Sequence, residues 1–265
     1  MSKIEALFID PQVDFCDPTG NLYVKGADKD MERLATMIKR TKSKIDDIHV
    51  TMDSHHYVDV AHPVFWKNSS GQHPNPFTII SSSDVRNGVW NPTNLSWRKR
   101  MLDYVEALEK GGKYPLCIWP PHTLIGSEGH NVFPVLFEAL LEWEKDFAMV
   151  DYVTKGSNVF TEHYSAIRAE VVDQLDVTTQ INTRLINTLM EADLVVIAGE
   201  AGSHCLKNTV EDIATAFGDN AYIKKLVLLT DATSPVPGFE KQQEDFIKNM
   251  VAKGMQLSTT TTFLA

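Results

Sequence analysis

Cys205 closes the segment Gly199-Glu-Ala-Gly-Ser-His-Cys205, directly after the apolar run Leu194 to Ala198. The run reads as a β-strand, and beyond it Leu206, Val210, Ile213, Ala214 and Phe217 recur at helical spacing. Ser203 reads as the N-cap of that helix, which puts Cys205 in a first turn of unpaired backbone N–H groups. That environment is expected to favour the thiolate, the nucleophilic form. The bland alternative is an inert buried cysteine. Two other residues weigh against it. Asp10 ends the apolar run Ala6 to Ile9, and Lys155 follows the run Ala148 to Val153. A carboxylate can take a thiol proton, and an ammonium can stabilise the thiolate or orient the acid. Gln12 and Asp14 follow Asp10 within the same opening segment.

A second group has ligand chemistry: Asp53-Ser-His55-His56, with His62, His73 and His122 further on. Side chains alternate along an extended segment, so Asp53 and His55 project on the same side. One carboxylate and two or three imidazoles suit zinc, iron or manganese in a site with open positions. Isolated histidines are more often structural than ligating, so spacing alone leaves this open.

The elements that would position these groups alternate. Strand-like runs at Ala6–Ile9, Ile48–Met52, Ala148–Val153, Leu194–Ala198, Leu226–Leu229 and Met255–Ser258 are separated by helical patterns. Those patterns include Met31 to Ile45, Leu136 to Phe147 behind Pro134, Asn182 to Ala192, and Phe239 to Met250. Alternation of this kind implies an α/β fold: a three-layer, mostly parallel, doubly wound sheet. Ligands of such sheets bind beyond the carboxyl ends of the strands. Asp10, Asp53, Lys155 and Cys205 all fall there, which makes one site on one rim the expectation. A stretch at about 61–113, after the second strand, breaks the pattern. It is rich in Pro, Gly, Ser and Asn, with one helix expected at Trp97, Met101, Tyr104, Val105 and Leu108. Insertions of this length usually serve as covers or contact surfaces.

Composition sets the bounds. A chain of 265 residues, 43% of them hydrophobic, is expected to form a single domain over 1–265. The net charge of −10 excludes sequence-independent nucleic-acid binding, which needs a basic surface. No apolar run is long enough for a membrane span, so no membrane association is expected. The three cysteines, Cys16, Cys117 and Cys205, are widely spaced and form no secreted disulfide pattern. Without a signal-peptide pattern at the N-terminus, the expected compartment is cytoplasmic.

In combination the motifs resemble the isochorismatase-like cysteine hydrolases, and among them the nicotinamidases. Ile9-Asp10-Pro-Gln12-Val-Asp14-Phe15 matches the opening catalytic motif, and Thr51-Met-Asp53-Ser-His55 the first metal motif. Cys117-Ile-Trp119-Pro-Pro-His122 matches the segment bearing another metal histidine and an aromatic wall. Thr154-Lys155-Gly156 matches the catalytic lysine, and Gly199 to Cys205 the nucleophile turn. The resemblance implies the isochorismatase-like hydrolase fold with Asp10, Lys155 and Cys205 as the catalytic set. It implies an oxyanion hole from the Ala201 and Cys205 N–H groups, and a cis peptide at Glu200–Ala201. Phe15 and Trp119 would sandwich the substrate ring. Asp53, His55 and His122 would hold one divalent metal, zinc in the first instance and otherwise iron or manganese, with His62 as a fourth candidate ligand. His56 and His73 are expected to be structural or surface groups. The turn departs from the family pattern at Glu200, where an apolar residue is usual, and at Ser203, where an acidic one is common.

The activity so implied is hydrolysis of nicotinamide to nicotinate and ammonia through a thioester, in NAD salvage, with a small carboxamide as substrate and a homo-oligomer as the assembly. Competing readings are a metal-free ureido or N-carbamoyl amidohydrolase, an isochorismatase-type hydrolase, a non-catalytic binder on the same scaffold, and a zinc-hydroxide hydrolase. One variant separates the last from the cysteine mechanism. Cys205→Ala is expected to abolish turnover with metal content unchanged; retained turnover that metal removal abolishes would favour the zinc-hydroxide route.

Overall fold

The computed structural model describes residues 2–265. The first half of the chain runs β1 (Ile4–Ile9), α1 (Val13–Cys16), α2 (Ala27–Thr41), β2 (Asp47–Asp53), β3 (Trp66–Lys67), β4 (Ile79–Ile80), α3 (Ser82–Arg86), β5 (Asn91–Pro92), α4 (Arg98–Gly111) and β6 (Leu116–Cys117). The second half runs α5 (Pro134–Glu144), β7 (Asp151–Lys155), α6 (Thr183–Glu191), β8 (Leu194–Gly199), α7 (Cys205–Phe217), α8 (Asn220–Ile223), β9 (Leu226–Leu229), α9 (Glu240–Lys253) and β10 (Gln256–Ser258). Six strands, in the order β10-β9-β8-β1-β2-β7, form one sheet in which every pairing is parallel. The chain winds outward from β1 in both directions, so the topological switch lies between β1 and β8.

Both faces of the sheet are covered, as parallel strands require. Ala6 and Phe8 of β1 join Met31, Leu34, Ile38, Leu136 and Leu140 of α2 and α5 in one core. Their alternates Leu7 and Ile9 join Leu185, Leu189, Leu206, Val210 and Phe246 of α6, α7 and α9 in the other. Period-two alternation along a single strand therefore builds both outer layers. Each large side chain so buried contributes about 1.5–3 kcal/mol.

The expected elements all form, with shifted ends. The helix expected to reach Ile45 stops at Thr41, and the one expected to reach Phe147 stops at Glu144. Phe147 instead adopts φ +63° and projects into solvent. The Glu144 carboxylate accepts from Val150 N at 2.9 Å and ties the reversal down before β7. Strand β7 begins at Asp151 and not at Ala148, because its register on β2 starts at His49↔Asp151. It also runs two residues past the expected Val153, so Lys155 pairs with Asp53 as the last strand residue and not beyond it.

The stretch between β2 and α5 has a core of its own, in which Phe65, Trp66, Ile80, Met101, Val105 and Ile118 pack together. Phe77 from this stretch meets the Trp119 ring edge to face, centroids 5.8 Å apart. The insertion thus buttresses a residue at the sheet's carboxyl rim.

The close approach of β8 to β1 depends on Gly199. Its φ is +112°, and a Cβ there would lie 2.1 Å from the Ile9 carbonyl oxygen. Gly199→Ala is expected to destabilise the fold by about 3 kcal/mol through left-handed strain and overpacking. Urea unfolding reads this directly, and an unchanged midpoint would contradict it.

Candidate active site

Asp10 follows β1 at φ +42°, a conformation rare for a residue with a Cβ. Thr51 of β2 fixes it from both ends: Asp10 N donates to the threonine hydroxyl at 2.9 Å, and that hydroxyl donates to Asp10 Oδ1 at 2.5 Å. Lys155 Nζ lies 2.9 Å from Asp10 Oδ2 and 2.9 Å from Asp53 Oδ1. It also donates to the His163 carbonyl at 3.0 Å and stands 3.6 Å from Cys205 Sγ. Asp10 and Asp53 at two strand ends and Cys205 at the start of α7 thus meet around one buried ammonium.

Burial disfavours the Lys155 charge, but the Asp10 and Asp53 carboxylates outweigh it and hold the pKa well above the usual lysine value. Burial pushes the Asp10 carboxyl up, an effect that Lys155 opposes and Asp53 reinforces. Cys205 departs from the sequence expectation. Burial pushes its thiol well up, and although Lys155 pulls it down, Asp10 and Asp53 push it up again. The first turn of α7 does not overcome the removal of water and the two neighbouring carboxylates.

The turn before Cys205 differs in a second respect. Ser203 does not cap α7; His204 occupies the N-cap position and makes no side-chain capping bond. The Ser203 hydroxyl accepts from Val236 N at 3.0 Å and lies 2.9 Å from His204 Nδ1, linking the turn to the 230s loop. Glu200 is fully buried and its carboxyl pKa is pushed well up, by burial and then by Asp30. Its Oε2 accepts from Ser234 N at 3.0 Å. The Glu200–Ala201 peptide is cis. Ala201 N and Cys205 N donate to no group among the described residues.

The Asp53, His55 and His122 side chains converge, with one ligand atom of each within 4.8 Å of the others. Two interactions join these distant segments. His55 N donates to Thr123 O at 3.2 Å, and Ile125 N donates to His55 O at 3.0 Å. Asp14 Oδ2 accepts from Thr123 N at 2.6 Å, and the Gln12 side chain brackets Asp53 by accepting from its N at 2.7 Å and donating to its O at 2.8 Å. The imidazole tautomers follow from their outer partners. His55 Nδ1 meets Asp59 Oδ2 at 3.0 Å, His122 Nδ1 meets Pro120 O at 2.9 Å, and His62 Nδ1 meets Tyr57 O at 3.2 Å. Oxygen partners of these kinds accept, so each Nδ1 carries a proton. Burial opposes a charge on His55, but the Asp53 and Asp59 carboxylates outweigh it and hold its pKa well above the usual imidazole value. His55 and His122 turn Nε2 toward Asp53 Oδ2, at 3.0 and 3.5 Å. The His62 ring centroid lies 5.2 Å from that of His55 and 5.5 Å from that of His122, and its buried Nε2 has no partner. Burial, then the two neighbouring imidazoles, push the His62 pKa down to about 4, which keeps that lone pair available. This donor set fits a divalent cation.

Phe15 and Trp119 line the same cavity as Asp53, His122, Ala201 and Cys205. His56 is exposed, and His73 is held by the Trp66 carbonyl at 2.6 Å, both away from the cavity. Sequence reasoning passed over four contributors. Thr51 and Asp59 orient Asp10 and His55, while Glu162 and His204 line the cavity. Glu162 and His204 lie close to Lys155 and Cys205 in sequence, but no periodicity marks them. Burial pushes the Glu162 carboxyl up to about 8 and, with Lys207, pushes His204 down to about 3.

No protein-family model matches the chain, and no curated protein matches it in sequence. Solved structures do. A nicotinamidase/pyrazinamidase from Acinetobacter baumanii aligns over 98% of both chains with a TM-score of 0.64 at 19% identity. A yeast nicotinamidase bound to the inhibitor nicotinaldehyde aligns over 97% of this chain and 99% of its own, with a TM-score of 0.66 at 16% identity. A Pyrococcus horikoshii pyrazinamidase in complex with zinc aligns over 97% and 99%, with a TM-score of 0.57 at 17% identity. The chain has the isochorismatase-like hydrolase fold. Its particular likeness within that fold is to the nicotinamidases and pyrazinamidases.

The Asp59 contact carries a prediction independent of any activity. Asp59→Asn is expected to weaken divalent-metal binding about tenfold or more, since it removes the carboxylate that orients His55. Chelator competition measures the change; equal affinity would show that Asp59 does not serve the cluster.

Proposed function

We propose that this protein is a nicotinamidase, hydrolysing nicotinamide to nicotinate and ammonia for NAD salvage. The observation that carries the reading is Lys155, held 2.9 Å from both Asp10 and Asp53, because it makes a nucleophile site and a metal cluster one unit. A metal-free carbamoyl amidase would have no use for the convergence of Asp53, His55 and His122. The likeness to nicotinamidases supports the same choice.

Asp53, His55 and His122 would hold the ion, with His62 as a fourth candidate ligand. Zinc is the first choice, given the zinc complex of a similar structure. When bound, the ion supplies a Lewis-acidic anchor for the pyridine nitrogen. Phe15 and Trp119 then confine the ring and exclude water. Asp10 takes the Cys205 proton, and the thiolate attacks the carboxamide carbon. The Ala201 and Cys205 N–H groups receive the oxyanion. Asp10 returns the proton to the departing amine, ammonia leaves, and a thioester remains. Water then attacks the thioester with Asp10 again as base, which releases nicotinate and restores the thiol. Lys155 holds Asp10 in place and balances its negative charge throughout.

Ammonia release from nicotinamide by zinc-loaded protein tests the reading, and no turnover would end it. Asp10 must be ionised to act, so kcat/KM is expected to fall as pH drops through its raised pKa. The acid limb should therefore lie above about 3.9, the ordinary aspartate value. A profile flat down to that pH would remove Asp10 from the role of base.

A further inference from the structure

Glu162 is the one acidic side chain of the cavity wall, besides Asp53, and the catalytic scheme does not use it. The residue is 4% exposed, and its Oε2 is buried without a hydrogen-bond partner. An orphaned buried carboxyl oxygen costs free energy unless a ligand or ordered water meets it. Its backbone is firmly placed: Glu162 N donates to the Tyr104 hydroxyl at 3.0 Å, and Glu162 O accepts from Glu170 N at 2.9 Å. The next residue anchors Lys155 through its carbonyl. The carboxyl is therefore presented to the cavity by a pinned segment and not by a loose loop.

The surrounding donors are already committed. His55 uses Nδ1 on Asp59 and turns Nε2 to Asp53, Lys155 serves Asp10, Asp53 and His163, and Trp119 Nε1 donates to Tyr164 at 3.2 Å. Glu162 shares the cavity wall with Asp53 and His122, two of the three clustered ligand candidates. Glu162 is nevertheless outside the tight Asp53–His55–His122 cluster. A carboxyl beside a metal cluster, not in it, and without a protein donor fits one partner. That partner is water held in an open position of the ion.

We propose that Glu162 is an outer-sphere positioning residue of the metal centre, accepting a hydrogen bond from metal-held water and thereby strengthening metal binding. The inference rests on the metal-centre reading but not on the identity of the substrate. Outer partners of metal sites change affinity by about 10–100-fold when removed. The test is zinc affinity of the full chain, stripped and reloaded, by competition with a chromophoric chelator. Glu162→Leu is expected to bind zinc about 10–100-fold more weakly. Glu162→Gln, which keeps an acceptor oxygen without the charge, should fall between that and the native protein. A merely structural role would give no such graded rescue. Native affinity in both variants overturns the proposal, and a raised KM for nicotinamide at native zinc affinity reassigns the carboxyl to substrate. Should Glu162→Leu fail to fold, Glu162→Gln alone decides, through a several-fold loss or none. Failure of the native chain to bind zinc would sink the metal-centre reading itself. Loss of zinc affinity in the variants, without nicotinamide turnover by the native protein, would sustain the proposal and sink only the substrate.

Discussion

A single buried ammonium organises this structure. Lys155, with its side chain 1% exposed, meets two carboxylates from two other strands at equal distances. A charge taken from water is tolerable only with such compensation, and removing one partner of a buried pair typically costs about 3–5 kcal/mol. The constraint runs both ways. Asp10 and Asp53 stand close enough to raise each other's energy, and only a cation between them permits both to be charged. The thiol on one side and the imidazole cluster on the other are thereby registered to each other.

The parallel sheet makes this meeting possible. Strands β1, β2, β7 and β8 are consecutive neighbours whose carboxyl ends share one rim, although their residues span most of the chain. The crevice opens beside β1, where the winding reverses and no crossover helix blocks the rim. Glycines make the fit close. At Gly156, with φ +86°, a Cβ would lie 2.8 Å from Asp53 Oδ1, so the chain leaving Lys155 can pass the Asp53 carboxylate only without a side chain.

Burial also governs reactivity. The same exclusion of water that strengthens the Lys155 bridge pushes the Cys205 thiol and the Glu200 carboxyl up and the His62 imidazole down. Glu200 and Ser203, the two departures from the family pattern in the nucleophile turn, have structural partners in the 230s loop, Ser234 and Val236.

The sequence by itself determined the alternation of strands and helices, and with it the parallel sheet, because period-two and helical spacing are local properties. It also located Asp10, Asp53, Lys155 and Cys205 at strand ends, since those ends are visible as the close of apolar runs. Ser203 as helix cap and Cys205 as thiolate were misread for one reason. Capping preference and helix polarity are local, whereas the Val236 contact and the desolvation by Asp10 and Asp53 come from remote segments. Motif resemblance paired His55 with His122 and set His73 aside. Spacing could not, because a bridge between segments some 67 residues apart has no local signal. The tertiary structure supplies that bridge through His55 N, Thr123 O and Ile125 N. It alone revealed Asp59, Thr51 and Glu162. Their types are ordinary in a surface loop or a strand, and they acquire chemistry only from what the fold places beside them.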